Sequence, residues 1–220
     1  MTSLDLHIWQ LADSAFPTGG FAHSGGLEAA WQSGEVADAA ALDRFARGVV
    51  EQTASAVVPL LNAAHRAPER FDELDQLADV FLVNPVANRA SRVQGRALAA
   101  TIGRVWASEP VCAMAARVER GFGHHGPVMG AMFAMLHVPI DIAQQICFYN
   151  AGRGVLAAAV RLGIAGSYEA QRLQHELAPA IAAAGARARE YDEHDLAQTA
   201  PVLDVLQAAH DRLYSRMFRS

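Results

Sequence analysis

The amino-acid sequence predicts an all-α fold, a single-domain helical bundle of about eight to ten helices. Apolar residues recur at spacings of three and four in most segments, which is the period of an amphipathic helix. No segment shows the sustained alternation of β-branched residues that a strand requires. A chain of 220 residues, 52% of them hydrophobic, can bury one sizeable core, so we assign residues 1–220 to a single domain.

Glycine, proline and capping residues divide the N-terminal half into helices. A first amphipathic helix runs up to the glycine-rich stretch of residues 13–28. Ser24 is the predicted N-cap of a second helix, which Gly34 ends. Asp38 begins a long third segment as another N-cap. Pro59 then marks a kink or a break within that segment.

Prolines separate the helical segments that follow, which are 69–83, 85–108 and 110–120. Pro110 suits the first turn of its helix. A pair of largely uncharged helices comes next and breaks near Pro139. Ser167 caps a further helix, and the last helix spans about 199–214.

The charged residues exclude several classes of function. All 18 basic residues are arginine, so the chain has no lysine for a P-loop and none for Schiff-base chemistry. The net charge is −5 and the arginines are scattered, which argues against nucleic acid as a partner.

Membrane insertion and secretion are not expected either. The uncharged run of residues 121–140 contains histidines and prolines, so its apolar part is too short to span a bilayer. We interpret it as part of a buried helical pair or an oligomer face. The N-terminus lacks a basic leader and the two cysteines are far apart, which predicts a cytoplasmic location.

The stretch DSAFPTGGFAHSGGLE, residues 13–28, fits no catalytic or phosphate-binding motif. Its serine lacks the strand and the leading glycine of a nucleophile elbow, and its glycines do not follow the dinucleotide-binding pattern. A glycine-shaped turn is the favoured interpretation. The methionines that follow His124 and His125 recur every third residue, which favours a core over a metal site, although a transient metal path stays open.

Five blocks, in order along the chain, resemble the UreF family of urease accessory proteins. They are DSAFPTGGFAHSGGLEAA, NRASRVQGR, HHGPVMG, FYNAGRGVLAAAVRLG and APVLDVLQAAHDRLYSRMFRS. The resemblance extends from about Leu6 to the last residue. The first and third blocks look most similar to the plant-like branch, and similar bacterial members exist.

This resemblance implies a non-catalytic scaffold for urease maturation, all-α, homodimeric and cytoplasmic. Members of the family bind the accessory protein UreD, also called UreH, and the pair recruits the GTPase UreG. The assembly delivers nickel to urease apoprotein. The implied protein binds no cofactor stably, because the complex handles nickel only transiently, and it needs neither nucleic acid nor a membrane.

The resemblance also implies partner-binding residues near both ends of the chain. The C-terminal tail, about 214–220, matches the segment that orders on UreD, and its implied contacts are Tyr214, Arg216, Met217, Phe218, Arg219 and Ser220. In the N-terminal loop the implied residues are Pro17, Gly19, Gly20, Phe21 and His23. Phe21 stands where many members have tyrosine, an aromatic implicated in recruiting the GTPase, and Arg216 matches an arginine thought to brace this loop.

Two alternatives remain open at this point. One is an enzyme with an unrecognised site, suggested by the loops around His23 and His125. The other is a helical nickel-binding protein, suggested by HHGPVMGAMFAMLH. The sequence offers no way to choose an arginine that would act on the GTPase.

Overall fold

Twelve α-helices form the fold in the computed structural model, which describes residues 3–220, with side chains from residue 6 onward. In chain order they are α1 (Ser3–Ala12), α2 (Leu27–Gln32), α3 (Ala39–Ala56), α4 (Val58–Arg66), α5 (Phe71–Phe81), α6 (Pro85–Val105), α7 (Glu109–Arg120), α8 (His125–Met135), α9 (Ile140–Arg161), α10 (Ser167–Glu176), α11 (Ala178–Ala188) and α12 (Pro201–Ala209). Short 3-10 helices lie at Gly20–Ala22, Pro68–Arg70, Glu193–Asp195 and His210–Arg212. No strand occurs among these residues, and the predicted all-α class is confirmed. Residues 1 and 2 of the predicted domain lie outside the described residues.

Two pairs of helices are nearly continuous. Val57 alone separates α3 from α4, and Leu177 alone separates α10 from α11, so counting each pair as one gives ten helices. Pro59 lies in the first turn of α4, where its missing N–H leaves no hydrogen bond unmade, and the predicted break there is confirmed. The break before Pro179, in the first turn of α11, was not predicted.

The predicted helix caps are confirmed in part. The Asp38 carboxylate accepts from the backbone N–H of Ala41 at 2.7 Å and caps α3. Gly34, with φ of 83°, follows the end of α2. Ser24 is not the N-cap of α2, because that helix begins at Leu27 and Gly26 precedes it in the left-handed conformation.

The core consists of two hydrophobic clusters, and α9 contributes to both. Ile146 and Phe148 pack with α4 and α8, while Val155 and Leu156 pack against α2, α3 and α10. Phe218 of the C-terminal tail is buried in the second cluster. Phe218 therefore attaches the tail to the folded core.

Helix α8 is buried among α4, α5, α6 and α7. Met129 and Met132 are fully buried there, which confirms that the methionine stripe fills the core. Gly130 allows α4 to approach closely, because a Cβ at this position would lie 2.2 Å from the carbonyl oxygen of Leu61. None of the helices in the described part of the chain is both long and apolar enough to cross a membrane.

A buried carboxylate holds the chain that leads into α8. Asp75 of α5 accepts three backbone hydrogen bonds, from Phe122 at 2.7 Å, Gly123 at 2.9 Å and His124 at 2.7 Å. These amides lie before and at the start of the helix, where intrahelical partners are missing. Asp75 thus fixes the position of the HHGP block.

The two adjacent histidines of that block, His124 and His125, both have lowered pKa values, and His124 makes hydrogen-bond contacts within the fold. The His124 ring is fully buried, with Nδ1 at 3.2 Å from the Ser91 hydroxyl and Nε2 at 3.1 Å from the Asp79 carboxylate. Burial lowers the pKa of His124, against the opposing effect of Asp79. Burial also lowers the pKa of His125 to about 4, so that ring is neutral at pH 7.

Candidate partner-docking site

The glycine-rich loop, residues 13–28, meets the C-terminal tail, residues 214–220, through backbone hydrogen bonds. The N–H of Arg219 donates to the carbonyl of Ala22 at 2.8 Å. The N–H of Ser24 donates to the carbonyl of Ser220 at 2.5 Å, and the Ser24 hydroxyl donates to the same oxygen at 3.0 Å. The two ends of the chain therefore form one structure, which we call the loop–tail site.

Glu28, in the first turn of α2, anchors the tail. Its buried carboxylate accepts from the N–H of Met217 at 2.6 Å and from the N–H of Phe218 at 3.1 Å. The ring Nε2 of His210, which is also fully buried, lies 3.2 Å from the same carboxylate. A buried carboxylate is stable only when such donors surround it, so Glu28 and the tail stabilise each other.

His23 connects the loop to the last residue of the tail. Its Nδ1 lies 2.5 Å from the Ser220 hydroxyl, while its Nε2 is buried without a hydrogen-bond partner among the described residues. Burial lowers the pKa of His23, and the positive charge of Arg219 lowers it further. The ring is therefore neutral at pH 7.

An arginine of α9 lies between the two aromatic residues of the site. The guanidinium carbon of Arg161 is 3.8 Å from the ring centroid of Phe21 and 4.2 Å from that of Phe218. Arg161 also donates a hydrogen bond to the carbonyl of Phe21. Contacts of this kind gain strength where water is excluded. Arg161 thus fixes the loop aromatic relative to the tail aromatic.

Arg216 does not have the predicted loop contact in this structure. Its guanidinium lies 3.5 Å from the Asp211 carboxylate, and Arg161 makes the contact with the loop instead. The reason is the direction of the tail, which buries Phe218 against α9 and leaves Arg216 beside the 3-10 turn that contains Asp211.

The other predicted loop residues lie against α6. The carbonyl of Pro17 accepts from the Thr101 hydroxyl at 2.9 Å. Gly19 has φ of 76°, and a Cβ there would lie 3.3 Å from the Cβ of Ala97. Gly20 follows it in the short 3-10 helix that carries Phe21. These residues shape the loop rather than present side chains.

The loop–tail site exposes large apolar side chains. Phe21 is 74% exposed although its ring stacks on Arg161, and Tyr214 is fully exposed. Met217 and Trp31 are also partly exposed, and Gln32, beside Trp31, donates to the carbonyl of Ser215 at 3.0 Å. Exposed aromatics on a rigid support are typical anchors of protein interfaces. The arrangement is suited to binding a protein.

Among the side chains of residues 6–220, no three of His, Cys, Asp or Glu come together as a metal ion would require. The predicted residues are instead divided between shaping the loop, anchoring the tail and presenting apolar side chains.

The sequence model that describes the UreF family matches residues 36–178 of this chain. The chain belongs to the UreF family. It is 35% identical over 218 residues to urease accessory protein F of Arabidopsis thaliana, which covers 96% of this chain and 91% of the relative. It is 34% identical to urease accessory protein F of Oryza sativa subsp. indica, and the match covers 96% of this chain and 83% of the relative. It is 30% identical to urease accessory protein UreF of Rhodopseudomonas palustris strain BisB5, and this match covers 94% of the chain and 87% of the relative.

Membership in the UreF family confirms the resemblance, and both plant and bacterial relatives are found as expected. The relatives are named accessory proteins rather than enzymes, which confirms the non-catalytic interpretation. Sequence reasoning missed Glu28, Arg161 and His210. Glu28 reads as an ordinary acidic residue in a first helical turn and Arg161 as a last-turn cation, so neither carries a signal of its own.

Proposed function

We propose that this UreF-family protein is a cytoplasmic scaffold for urease maturation that binds UreD (UreH) through the tail and recruits the GTPase UreG through the loop. The assembly delivers nickel to urease apoprotein. One observation carries the proposal: Arg161 lies between exposed Phe21 and buried Phe218, so the position of the loop depends on the docked tail. A partner that binds the tail thereby stabilises the surface that a second partner uses.

The composition supports a partner as the source of GTP hydrolysis. The chain has no lysine, and a P-loop requires one to reach the nucleotide phosphates. An assembly that uses GTP must therefore obtain this activity from another subunit.

Nickel is proposed to pass through the complex without stable storage in this protein. In the HHGP block the ring nitrogens of His124 already contact Asp79 and Ser91, and Met129 and Met132 are core residues. Equilibrium dialysis of the isolated protein with Ni²⁺ tests this. A tight, stoichiometric site would support the nickel-binding alternative instead.

We also propose that the face formed by α9, α10 and α11 is the homodimer interface. Residues 142–152 carry no charge, and Tyr149 is 42% exposed on this part of α9. A groove of about 770 Å³ lies there, with Phe148 and Ile181 in its lining. Depletion of charge with an exposed aromatic is typical of a subunit interface.

Deletion of residues 215–220 tests the tail. Co-purification with UreD is expected to be lost, because the deletion removes Phe218 and the backbone donors to Glu28. Undiminished recovery of UreD would contradict this assignment.

Phe21→Ala tests the loop separately. It is expected to leave the UreD complex intact and to abolish retention of UreG, because it removes an exposed anchor without touching the tail backbone. Val105→Ala is the matched control, since Val105 is 47% exposed at the end of α6, outside both the loop–tail site and the proposed dimer face. Retention of UreG by Phe21→Ala at the control level would refute the proposed role of the loop.

A further inference from the structure

A second surface, on α5 and α6, is chemically different from the loop–tail site. It is a groove of about 780 Å³ whose lining includes Val80, Val83, Pro85, Arg89, Arg92 and Arg96. The arginines are spaced by three and four residues on α6, so they lie along one face of the helix. We call this surface the arginine groove.

The positive charge of the groove is only partly neutralised within the described structure. Arg89 pairs with Asp211 at 2.9 Å. The guanidinium carbon of Arg92 lies 5.2 Å from the ring centroid of Phe122, and Arg96 donates to the carbonyl of Gly121 at 2.8 Å. Neither arginine forms an ion pair with a carboxylate in the described structure.

Asp79 also lines the groove but is already engaged. It accepts from Asn88 at 3.0 Å and lies 3.1 Å from His124 Nε2. The hydrogen bond from Asn88 is the main cause of a lowered pKa for Asp79, and Arg92 contributes from nearby. In a protein with a net charge of −5, this face is a local concentration of positive charge.

Apolar side chains border the same groove. Val80 is 70% exposed, Val83 is 78% exposed and Val93, on α6, is 41% exposed. A free anion or a nucleotide phosphate would gain no contact energy from these apolar valines, because they offer it neither charge nor hydrogen-bond donors. A protein segment that carries both carboxylates and apolar side chains would use both features.

The arginine groove is connected to the tail through Asp211. This carboxylate accepts from Arg89 on the groove side and lies 3.5 Å from Arg216 on the tail side. Asn84, at the start of α6, also donates to the carbonyl of Asp204 on α12 at 2.8 Å. A protein bound to the tail can therefore continue along α12 into the groove.

From these contacts we infer that the arginine groove binds an acidic, apolar segment of the same protein that binds the tail. This inference rests on the proposed function, under which that protein is UreD. The carboxylates of the segment pair with Arg92 and Arg96, and its apolar side chains cover Val80 and Val83. Charge pairing at the edge of an interface mainly increases the association rate and the sensitivity to salt.

Charge reversal tests the inference. The full-length protein carrying both Arg92→Glu and Arg96→Glu is immobilised, and retention of purified UreD is measured in 50 and 400 mM NaCl. Retention is expected to fall about tenfold at low salt, and the difference from the unaltered protein is expected to shrink at high salt, where screening acts on both. The matched control is Arg104→Glu with Arg120→Glu, which changes the net charge equally at exposed positions outside the groove.

Arg92 and Arg96 contact the segment before α8, so their replacement could also disturb folding. A second pair of substitutions avoids this problem. Val80→Glu with Val83→Glu adds negative charge at exposed positions and leaves both arginines in place. It is expected to weaken UreD retention in the same salt-dependent way. Retention equal to the control in this pair overturns the inference, whatever the arginine variants do.

The tail deletion separates the two proposals. Loss of UreD after deletion of residues 215–220, with unchanged retention in the groove variants, refutes the arginine groove alone. Retention of UreD after the deletion refutes the proposed function itself.

Discussion

At the scale of single residues, the docked tail depends most on Glu28. Its carboxylate takes three donors from the tail and the preceding turn, namely the N–H groups of Met217 and Phe218 and the His210 ring. Their arrangement explains why the acidic side chain is buried, at 2% exposure, beside a buried histidine.

Glu28→Gln is expected to loosen the tail. The amide has only one acceptor oxygen and places an N–H₂ group against a backbone donor, which leaves buried polar groups unpaired at a cost of about 1–3 kcal/mol. Hydrogen exchange at Met217 and Phe218 should become about tenfold faster or more, since 1.4 kcal/mol corresponds to a factor of ten. Glu35→Gln, at an exposed position, is the control, and equal exchange in the two variants would contradict the role of Glu28.

His125 is expected to make folding stability depend on pH. Its pKa is about 4 in the folded protein, and it is about 6.5 in the unfolded chain. As the pH falls below 6.5, the unfolded chain takes up the proton first, so stability is lost between pH 6.5 and 4. The loss from this residue is about 2 kcal/mol at pH 5.

Urea denaturation of the unaltered protein and of His125→Gln measures this contribution. The difference in unfolding free energy between the two proteins should change by about 2 kcal/mol from pH 7.5 to pH 5. A difference that is independent of pH would show that the ring is solvated in the folded state. The same variant also tests the enzyme alternative, because assembly and urease activation should survive it.

At the scale of helices, the fold depends on a close contact between α4 and α8. Gly130→Ala is expected to destabilise the protein by about 1–3 kcal/mol, because its Cβ would meet the Leu61 carbonyl and the helices would have to separate. Gly154→Ala on α9 is the matched control, since nothing lies within 4 Å of its Cβ. The control is expected to be stabilised by up to about 1 kcal/mol, and similar losses in both variants would contradict this explanation.

Helices were the most predictable part of the structure, because each carries its own signal. Asp38 caps a helix by a contact within its own turn, and Pro59 breaks one through its own missing N–H. Pro179 was missed because the sequence around it is rich in alanine and continues the helical pattern on both sides. The break before Pro179 depends on the packing of α11 against α3 and α9, and the local sequence carries no signal for that packing.

The loop–tail site was predictable only through the resemblance. That resemblance directed attention to Phe21 and to the tail, but Arg161 and Glu28 act through contacts with residues far away in sequence. Local periodicity and spacing contain no information about such pairs. The contact of Arg216 with Asp211 instead of the loop was unpredictable for the same reason, because it depends on the path of the tail.

At the scale of the whole molecule, the proposed dimer face gives a further prediction. Tyr149→Glu is expected to convert the dimer to monomers, because it places a charge within the uncharged segment 142–152 of the proposed interface. Sedimentation velocity over a range of concentrations measures this. Val105→Glu, at a 47% exposed position at the end of α6 and outside the proposed dimer face, is the control that should leave the mass unchanged. An unaltered dimer in Tyr149→Glu would assign the interface to another face.

The hydrogen bonds between Ser24 and Ser220 join residues 196 positions apart. During synthesis the loop therefore emerges long before the residues that hold it, and helices α1 to α12 can form while the docking surface is still missing. A chain interrupted before residue 217 would lack the donors to Glu28 and the aromatic that stacks on Arg161. The docking surface is therefore the last part of the described fold to be completed during synthesis.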